Sequence, residues 1–167
     1  GAYRLGSTSG GLRSLYTATL FHYKPEFLAR LGPALELGRS FIRAEYQKSF
    51  APLLLLWKGI GKYIARNPEY KTLFGPVSIS SSYEAVSREL MISFLEKQEL
   101  LHECTGLVRP RNAPQRRHAT GNCRDLDELS DVVADIEPES SGVPVLLRHY
   151  LRLGGKLLGF SVDREFA

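Results

Sequence analysis

A carboxylate and a guanidinium stand three residues apart in residues 35–42, which read Leu-Glu-Leu-Gly-Arg-Ser-Phe-Ile. Apolar and polar positions alternate over much of this segment, which predicts a β-strand. In a regular strand Glu36 and Arg39 would project to opposite faces, because successive side chains alternate. A glycine inside a strand, here Gly38, is typical of a β-bulge or of a ligand that approaches the backbone closely. A bulge would re-aim Glu36 or Arg39, whereas in the alternative interpretation Glu36 is a solvated edge residue and Gly38 a packing contact.

The residues that follow this strand form a candidate anion site. Arg43, Gln47, Lys48 and Ser49 lead into a helix predicted from Pro52. Free backbone N–H groups and the positive end of a helix attract phosphate. The alternative, which the spacing alone favours, is that these residues only solvate and cap the start of the helix.

A basic, irregular segment spans residues 108–123 and is a candidate docking surface. Near an anionic lipid surface each basic residue is worth about 1 kcal/mol, although such a run is usually only a solvated loop. No aromatic residue lies between Val108 and Cys123, which argues against a nucleic-acid interface. An acidic protein or anionic lipid is the expected partner of its arginines, which are Arg109, Arg111, Arg116 and Arg117.

The sequence contains none of the usual patterns for covalent or metal catalysis. Its serines lie in no Gly-x-Ser-x-Gly elbow and its four histidines are scattered, so no covalent triad is expected. Cys104 and Cys123 stand in no metal-ligand spacing. We therefore expect reduced thiols, no metal and a cytoplasmic protein.

Length and composition indicate a globular protein of ordinary size. A chain of 167 residues is long enough for one domain with a continuous core. The net charge of +4 favours acidic partners. The longest apolar run, residues 51–57, is far below the roughly 20 residues that a membrane-spanning helix needs, so any membrane contact would be peripheral.

The order of elements predicts an α+β fold with α/β-like layers. Strands are predicted at residues 1–5, 17–22, 35–42, 72–80 and 156–162. Helices are predicted at residues 25–31, from Pro52 to Asn67, from a capping box of Ser81 and Glu84, from a second cap of Asp125 and Glu128, and at residues 144–153. The helix from Pro52 is expected to be long and well buried.

Part of the sequence resembles the hemolysin-like acyltransferases of the GNAT superfamily, which include the lyso-ornithine lipid synthases. The similar segments are residues 35–42, the run Glu45-Tyr46-Gln47-Lys48 and residues 53–60. The similarity continues through residues 70–80 and 108–111. Residues 36–39 also resemble the Glu-Leu-Ser-Arg strand of the acyl-homoserine lactone synthases. The resemblance implies a GNAT-type central mixed β-sheet flanked by helices. Such a sheet splays at a bulge, where the pantetheine arm of an acyl thioester enters.

The resemblance also implies roles for single residues. Glu36 would orient or deprotonate the acceptor amine or hydroxyl, and Arg39 would hold the strand or the acceptor. A carboxylate base and backbone N–H groups that steady an oxyanion suit this chemistry. The donor would be the phosphopantetheine of acyl carrier protein or acyl-coenzyme A, with no permanently bound cofactor. The implied donor-binding residues are Ile42, Arg43, Gln47, Lys48, Ser49, Phe50 and Ala51.

Together these implications predict one acyltransferase domain over residues 1–167 that lacks terminal strands of the family domain. It would move a fatty acyl group from acyl carrier protein or coenzyme A to an amine or hydroxyl of a lipid precursor. Peripheral contact with an anionic membrane is a further expectation. The alternative is a non-catalytic module of the same fold that docks a lipid surface or an acidic protein. That alternative is supported by the run Ser49-Phe50-Ala51-Pro52, because GNAT phosphate loops usually carry glycines at these positions.

Overall fold

The computed structural model describes residues 1–46, 51–115, 122–138 and 142–165. The chain divides into two compact units. The first comprises Gly1–Thr19 and Tyr23–Pro76, and the second comprises Leu20–His22 and Val77–Ala167. The expectation that residues 1–167 act as one domain stays a prediction.

Strands and helices both contribute to the described residues, as an α+β fold requires. The strands are β1 (Ala2–Ser7), β2 (Phe21–Tyr23), β3 (Ala34–Phe41), β4 (Thr72–Phe74) and β5 (Val108–Pro110). The helices are α1 (Thr17–Leu20), α2 (Pro25–Leu31), α3 (Ala51–Arg66), α4 (Ala85–Gln98), α5 (Leu126–Ile136) and α6 (Val145–Arg152).

The first unit is built on a mixed three-stranded sheet in the order β1-β3-β4. Strand β1 runs antiparallel to β3, with Ser7 opposite Leu35 and Leu5 opposite Leu37. Strand β4 runs parallel to β3. The strand predicted at residues 35–42 is therefore confirmed as the central strand β3.

Helix α3 begins and ends where its sequence signals predict, but its burial was predicted wrongly. It runs from Ala51 to Arg66 and stops before Asn67-Pro68. One face packs inward: Ile60 is buried, and the ring of Trp57 meets that of Tyr3 edge-on at 6.5 Å. The opposite face is exposed over most of its length, because a single sheet covers only one side of a helix.

Helix α2 follows its end signals closely. Pro25 occupies its first turn, where a missing N–H costs nothing, and the helix ends at Gly32 with a φ of 60°. The strand predicted at residues 17–22 is wrong in its first part. Thr17–Leu20 form the helical turn α1, and only β2, which pairs with β5, is extended there.

The second unit has a helical core. Helix α5 begins as predicted, since the side chain of Asp125 accepts the backbone N–H groups of Asp127 and Glu128 at 3.0 and 2.9 Å. The capping box at Ser81 is wrong. Helix α4 starts at Ala85, and the backbone N–H of Glu84 donates to the carboxylate of Glu137 at 3.0 Å. The buried core residues are Met91, Phe94, Leu95, Leu129, Val133, Val143 and Leu147.

Two predicted strands are shorter than expected. The strand at residues 72–80 ends at Phe74, shortly before Pro76, which has no N–H to continue a ladder. Residues 156–162 make one isolated bridge, between Leu157 and Leu100, instead of a strand. Helix α6 ends near Gly154 as predicted.

Two further findings concern membranes and thiols. No helix in the described ranges is long and apolar enough to cross a membrane. Cys104 and Cys123 are both unpaired thiols, as predicted, and Cys104 is buried.

The close approach of β4 to β3 generates a testable prediction. A Cβ at Gly75 would collide with the carbonyl oxygen of Leu37. We expect Gly75→Ala to lower the free energy of unfolding by about 1–3 kcal/mol, measured by urea titration. Gly59→Ala is the control, because the added Cβ would meet no heavy atom of the neighbouring described residues within 4 Å. That change should raise stability by about 0.5–1 kcal/mol. Equal effects of the two changes would contradict the described approach.

Candidate functional site

A β-bulge interrupts β3 immediately after Gly38. Arg4 lies opposite Gly38, but Ala2 lies opposite Phe41, so three steps along β3 match two steps along β1. Arg39 has a φ of 47°, in the left-handed region that a non-glycine residue rarely adopts. The bulge that the sequence predicted at Gly38 is therefore present, with Arg39 as its strained residue.

Glu36 is one of the most deeply buried charged residues of the described chain, with 2% of its surface exposed. Its carboxylate accepts hydrogen bonds from the backbone N–H groups of Tyr16 and Thr17 at 2.8 and 2.7 Å. The hydroxyl of Thr17 donates a third at 2.5 Å. The alternative interpretation of Glu36 as a solvated edge residue is wrong, because the carboxylate is buried and bonded.

Glu36 and Arg39 converge on one residue, Tyr16. The Arg39 guanidinium lies over the Tyr16 ring, 5.2 Å from its centroid, in a cation–π contact. Glu36 holds the backbone N–H of the same tyrosine. In a regular strand the two side chains would project to opposite faces, and the bulge between Gly38 and Phe41 removes that regularity.

Gly38 faces open space at the same point of the strand. Gly38 is itself buried, yet a Cβ there would meet no heavy atom of the described residues within 4 Å, so the space beside its backbone is unfilled and the packing alternative stays open. The parallel pairing with β4 runs only from Ala34 opposite Thr72 to Glu36 opposite Phe74. Strand β3 continues to Phe41 after β4 has ended. The sheet thus opens beside the second half of β3.

A hydroxyl network extends from Glu36 through Thr17 to Tyr23. Thr17 is buried, donates to Glu36 and also hydrogen-bonds the side chain of Tyr23. Burial, and to a lesser degree the charge of Glu36, raise the pKa of Tyr23 to about 12 against the opposing effect of Thr17. Tyr23 is therefore a neutral phenol over the whole physiological range.

The predicted donor-binding residues are only partly within the described chain. Ile42 is half-buried and Ala51 is the first residue of α3. Exposed Arg43 pairs with Glu45 at 2.6 Å. The pKa of Glu45 is lowered, first by a backbone hydrogen bond and then by Arg43. The remaining four, which are Gln47, Lys48, Ser49 and Phe50, lie outside the described residues.

The predicted docking arginines belong to the second unit. Arg109 and Arg111 are exposed on and after β5. Arg111 also lines a groove of about 520 Å³ together with Asn112 and Arg164. Arg116 and Arg117 lie outside the described residues. Within the described ranges no three His, Cys, Asp or Glu side chains gather in a way that could hold a metal ion.

Sequence reasoning missed three residues of this site, namely Tyr16, Thr17 and Tyr23. The sequence pattern predicts Thr17 in a strand, where its hydroxyl has no evident partner. Tyr16 and Thr17 bond to Glu36, which lies about 20 positions away in the chain, and Tyr23 joins them through Thr17. A weak signal was the buried glutamate itself, because a carboxylate inside a core must find hydrogen-bond donors.

The segment that holds this site matches a known family. Residues 1–58 match the acetyltransferase (GNAT) domain. The chain is similar to a glycine N(alpha)-acyltransferase of Bacteroides thetaiotaomicron, with 28% identity over 172 residues that cover 93% of this chain and 50% of that protein. A glycine N(alpha)-acyltransferase of Phocaeicola vulgatus is 36% identical over 90 residues, which cover 50% of this chain and 28% of that protein. No solved structure matches the chain significantly.

The mixed sheet and the helices of the described residues confirm the predicted α+β fold. The match of residues 1–58 supports a GNAT-type sheet in that part of the chain. The finer assignment to the hemolysin-like, lyso-ornithine lipid synthase type stays a prediction. The chain spans half or less of the length of these two relatives.

The pKa of Tyr23 yields a prediction about alkaline stability. A phenol whose pKa rises from 10.0 to about 12 on folding stabilises the fold below about pH 10. That contribution, roughly 3 kcal/mol, is lost as the pH rises from 10 to 12. We expect Tyr23→Phe to lose less stability than the parent chain over this interval, measured by urea unfolding at pH 9, 10, 11 and 12. Parallel pH profiles for the two proteins would show that Tyr23 is not the group responsible.

Proposed function

We propose that this chain forms an acyltransferase domain that binds an acyl thioester and acylates an amine. The observation that carries the proposal is the opening beside β3, where pairing with β4 ends at Glu36, Gly38 faces open space and Arg39 bulges. This opening lies within the residues that match the GNAT domain. An edge of exposed backbone suits an extended donor arm, which can pair with it as an added strand would.

The donor of the proposed reaction is an acyl thioester of coenzyme A or of acyl carrier protein. Its pantetheine arm would enter beside Gly38. Its phosphate would bind at residues 47–51. Helix α3 starts at Ala51, and the positive end of a helix favours an anion. Ile42 and Arg43 connect the two places along the chain. Arg43 would exchange its present partner, Glu45, for the donor phosphate.

The acceptor that the comparisons favour is an amine. Both similar proteins are named glycine N(alpha)-acyltransferases. We infer that glycine, or a lipid precursor with a free amino group, accepts the acyl chain here. The amine nitrogen would attack the thioester carbonyl carbon, forming the amide C–N bond as the C–S bond breaks. The departing thiolate and the proton lost by the amine then balance the reaction without an acyl-enzyme.

Two roles are open to Glu36 within this proposal. Its oxygens are both engaged by Tyr16 and Thr17, so the arrangement supports an orienting role, in which Glu36 holds residues 16–17 beside the opening. As a general base it would first have to exchange one of these donors for the acceptor amine. Arg39 would hold the same segment through the ring of Tyr16.

The second candidate function is a non-catalytic module of the same fold. Its specific support is the run Ser49-Phe50-Ala51-Pro52, which lacks the glycines usual in a GNAT phosphate loop. Such a module would dock an acidic protein or an anionic membrane through Arg109, Arg111, Arg116 and Arg117. A cytoplasmic location with peripheral membrane contact fits both candidates and is part of the proposal.

The proposed function is tested by following acyl transfer with a variant that closes the opening. Purified protein is mixed with palmitoyl-coenzyme A or palmitoyl carrier protein and glycine, and N-palmitoylglycine is measured by mass spectrometry. We expect the parent chain to form product with at least one donor. Gly38→Val should raise the donor KM at least tenfold, because the new side chain begins in the unfilled space beside Gly38 that the pantetheine arm would occupy.

Ser40→Val is the matched control, because it places the same side chain on the same strand at an exposed position. It should leave the donor KM within twofold of the parent value. Absence of product with both donors, from a chain that is folded by circular dichroism, would contradict the enzyme and favour the docking module.

A further inference from the structure

Helix α3 presents an unusual outward face. Its 16 residues include Lys58, Lys62 and Arg66 and no acidic residue. All three cations are exposed. The inward face, with Ile60 and Trp57, packs on the first unit and is already explained. The outward face is therefore a positively charged surface that the fold itself does not require.

Two leucines stand on this face where polar residues are expected. Leu54 and Leu55 are 47% and 65% exposed, so much of each side chain is open to solvent. Neighbouring exposed apolar residues on a surface helix commonly mark an interaction site. They lie about one turn before Lys58, which places apolar and cationic groups side by side along the helix.

A shallow groove of about 530 Å³ runs along the same face. Its lining residues are Leu55, Lys58, Gly59, Gly61, Lys62 and Ala65. Gly59, Gly61 and Ala65 bring little or no side chain to the groove beside the two lysines. A lysine can lay its apolar stem along hydrocarbon while its ammonium group reaches toward water or phosphate.

We propose that this outward face of α3 is a docking surface for an anionic lipid bilayer. Leu54 and Leu55 would enter the boundary between head groups and acyl chains, and Lys58, Lys62 and Arg66 would meet lipid phosphates. The inference locates the membrane contact of the proposed function on a named surface. It does not depend on acyl transfer.

Charge and shape favour a bilayer over an acidic protein as the occupant. Lysine is a mobile point charge that needs no fixed geometry, which suits a fluid array of phosphates. Protein interfaces instead favour aromatic and arginine anchors seated in pockets. Here the two most exposed apolar groups of the face are leucines, and the groove between the lysines is open and shallow.

The test is sedimentation of the full chain with sucrose-loaded vesicles. Vesicles of phosphatidylcholine with an equal share of phosphatidylglycerol are compared with vesicles of phosphatidylcholine alone. We expect clear preference for the anionic vesicles. The double variant Lys58→Gln/Lys62→Gln should reduce the partition coefficient about 25-fold, from about fivefold for each charge. Leu55→Ser should reduce it about tenfold.

The double variant Lys71→Gln/Lys97→Gln is the charge-matched control, because it removes two exposed lysines that lie outside α3. It should retain the parent's partition coefficient within twofold. Three results would overturn the inference: no preference of the parent chain for anionic vesicles, loss of binding only in the control variant, or loss in the Lys58→Gln/Lys62→Gln variant with none in Leu55→Ser. The last result would indicate a purely electrostatic contact. Because no thioester or acceptor is present, failure of acyl transfer cannot produce any of these results.

Discussion

The buried carboxylate of Glu36 is the constraint on which the first unit depends. A charge taken out of water is costly unless hydrogen bonds replace its hydration. Here three donors from Tyr16 and Thr17 do so, and the same bonds satisfy N–H groups at the start of α1. Gly6, opposite Glu36 on β1, leaves room for the arrangement, because a Cβ there would press on Leu15 and lie close to Glu36.

The opening of the sheet follows from Gly38 and Arg39, which lie two and three residues after Glu36 on β3. Gly38 and the left-handed Arg39 break the ladder with β1, while β4 ends opposite Glu36. Arg39 is then turned toward Tyr16, the residue whose backbone Glu36 holds. One short segment therefore combines an exposed strand edge, a strained residue and a buried charge. Such combinations are typical of places where a fold gives up local regularity for a ligand.

The sequence predicted those parts of the fold whose signals are local. Pro25 and Gly32 bound α2, Asp125 caps α5, and Asn67-Pro68 stops α3. Predictions failed where a distant group decides. Thr17 begins a helical turn because Glu36 accepts its N–H, and α4 begins at Ala85 beside a bond between Glu84 and Glu137. The burial of α3 failed for a related reason, since periodicity shows an apolar face but not how many sides are covered.

The residues of the candidate site were also predictable only where their signal is local in the sequence. Glu36, Gly38 and Arg39 stand out within eight residues of one strand, so their types and spacing were enough to single them out. Tyr16, Thr17 and Tyr23 were not, because only the folded chain brings them to the carboxylate. The resemblance to the GNAT superfamily indicated acyl transfer, which the residue spacing alone left open. The match of residues 1–58 to the GNAT domain supports that resemblance at the level of the superfamily.

The central claim is that the opening beside β3 receives an acyl thioester. It is tested most directly by recording amide chemical shifts of the ¹⁵N-labelled chain while a non-reactive thioether analogue of acyl-coenzyme A is added. We expect saturable shifts at residues 37–41 and at Tyr16 and Thr17, which Glu36 and Arg39 contact. Shifts that leave these residues unchanged while others in the chain saturate would show that the donor binds elsewhere and would contradict the account.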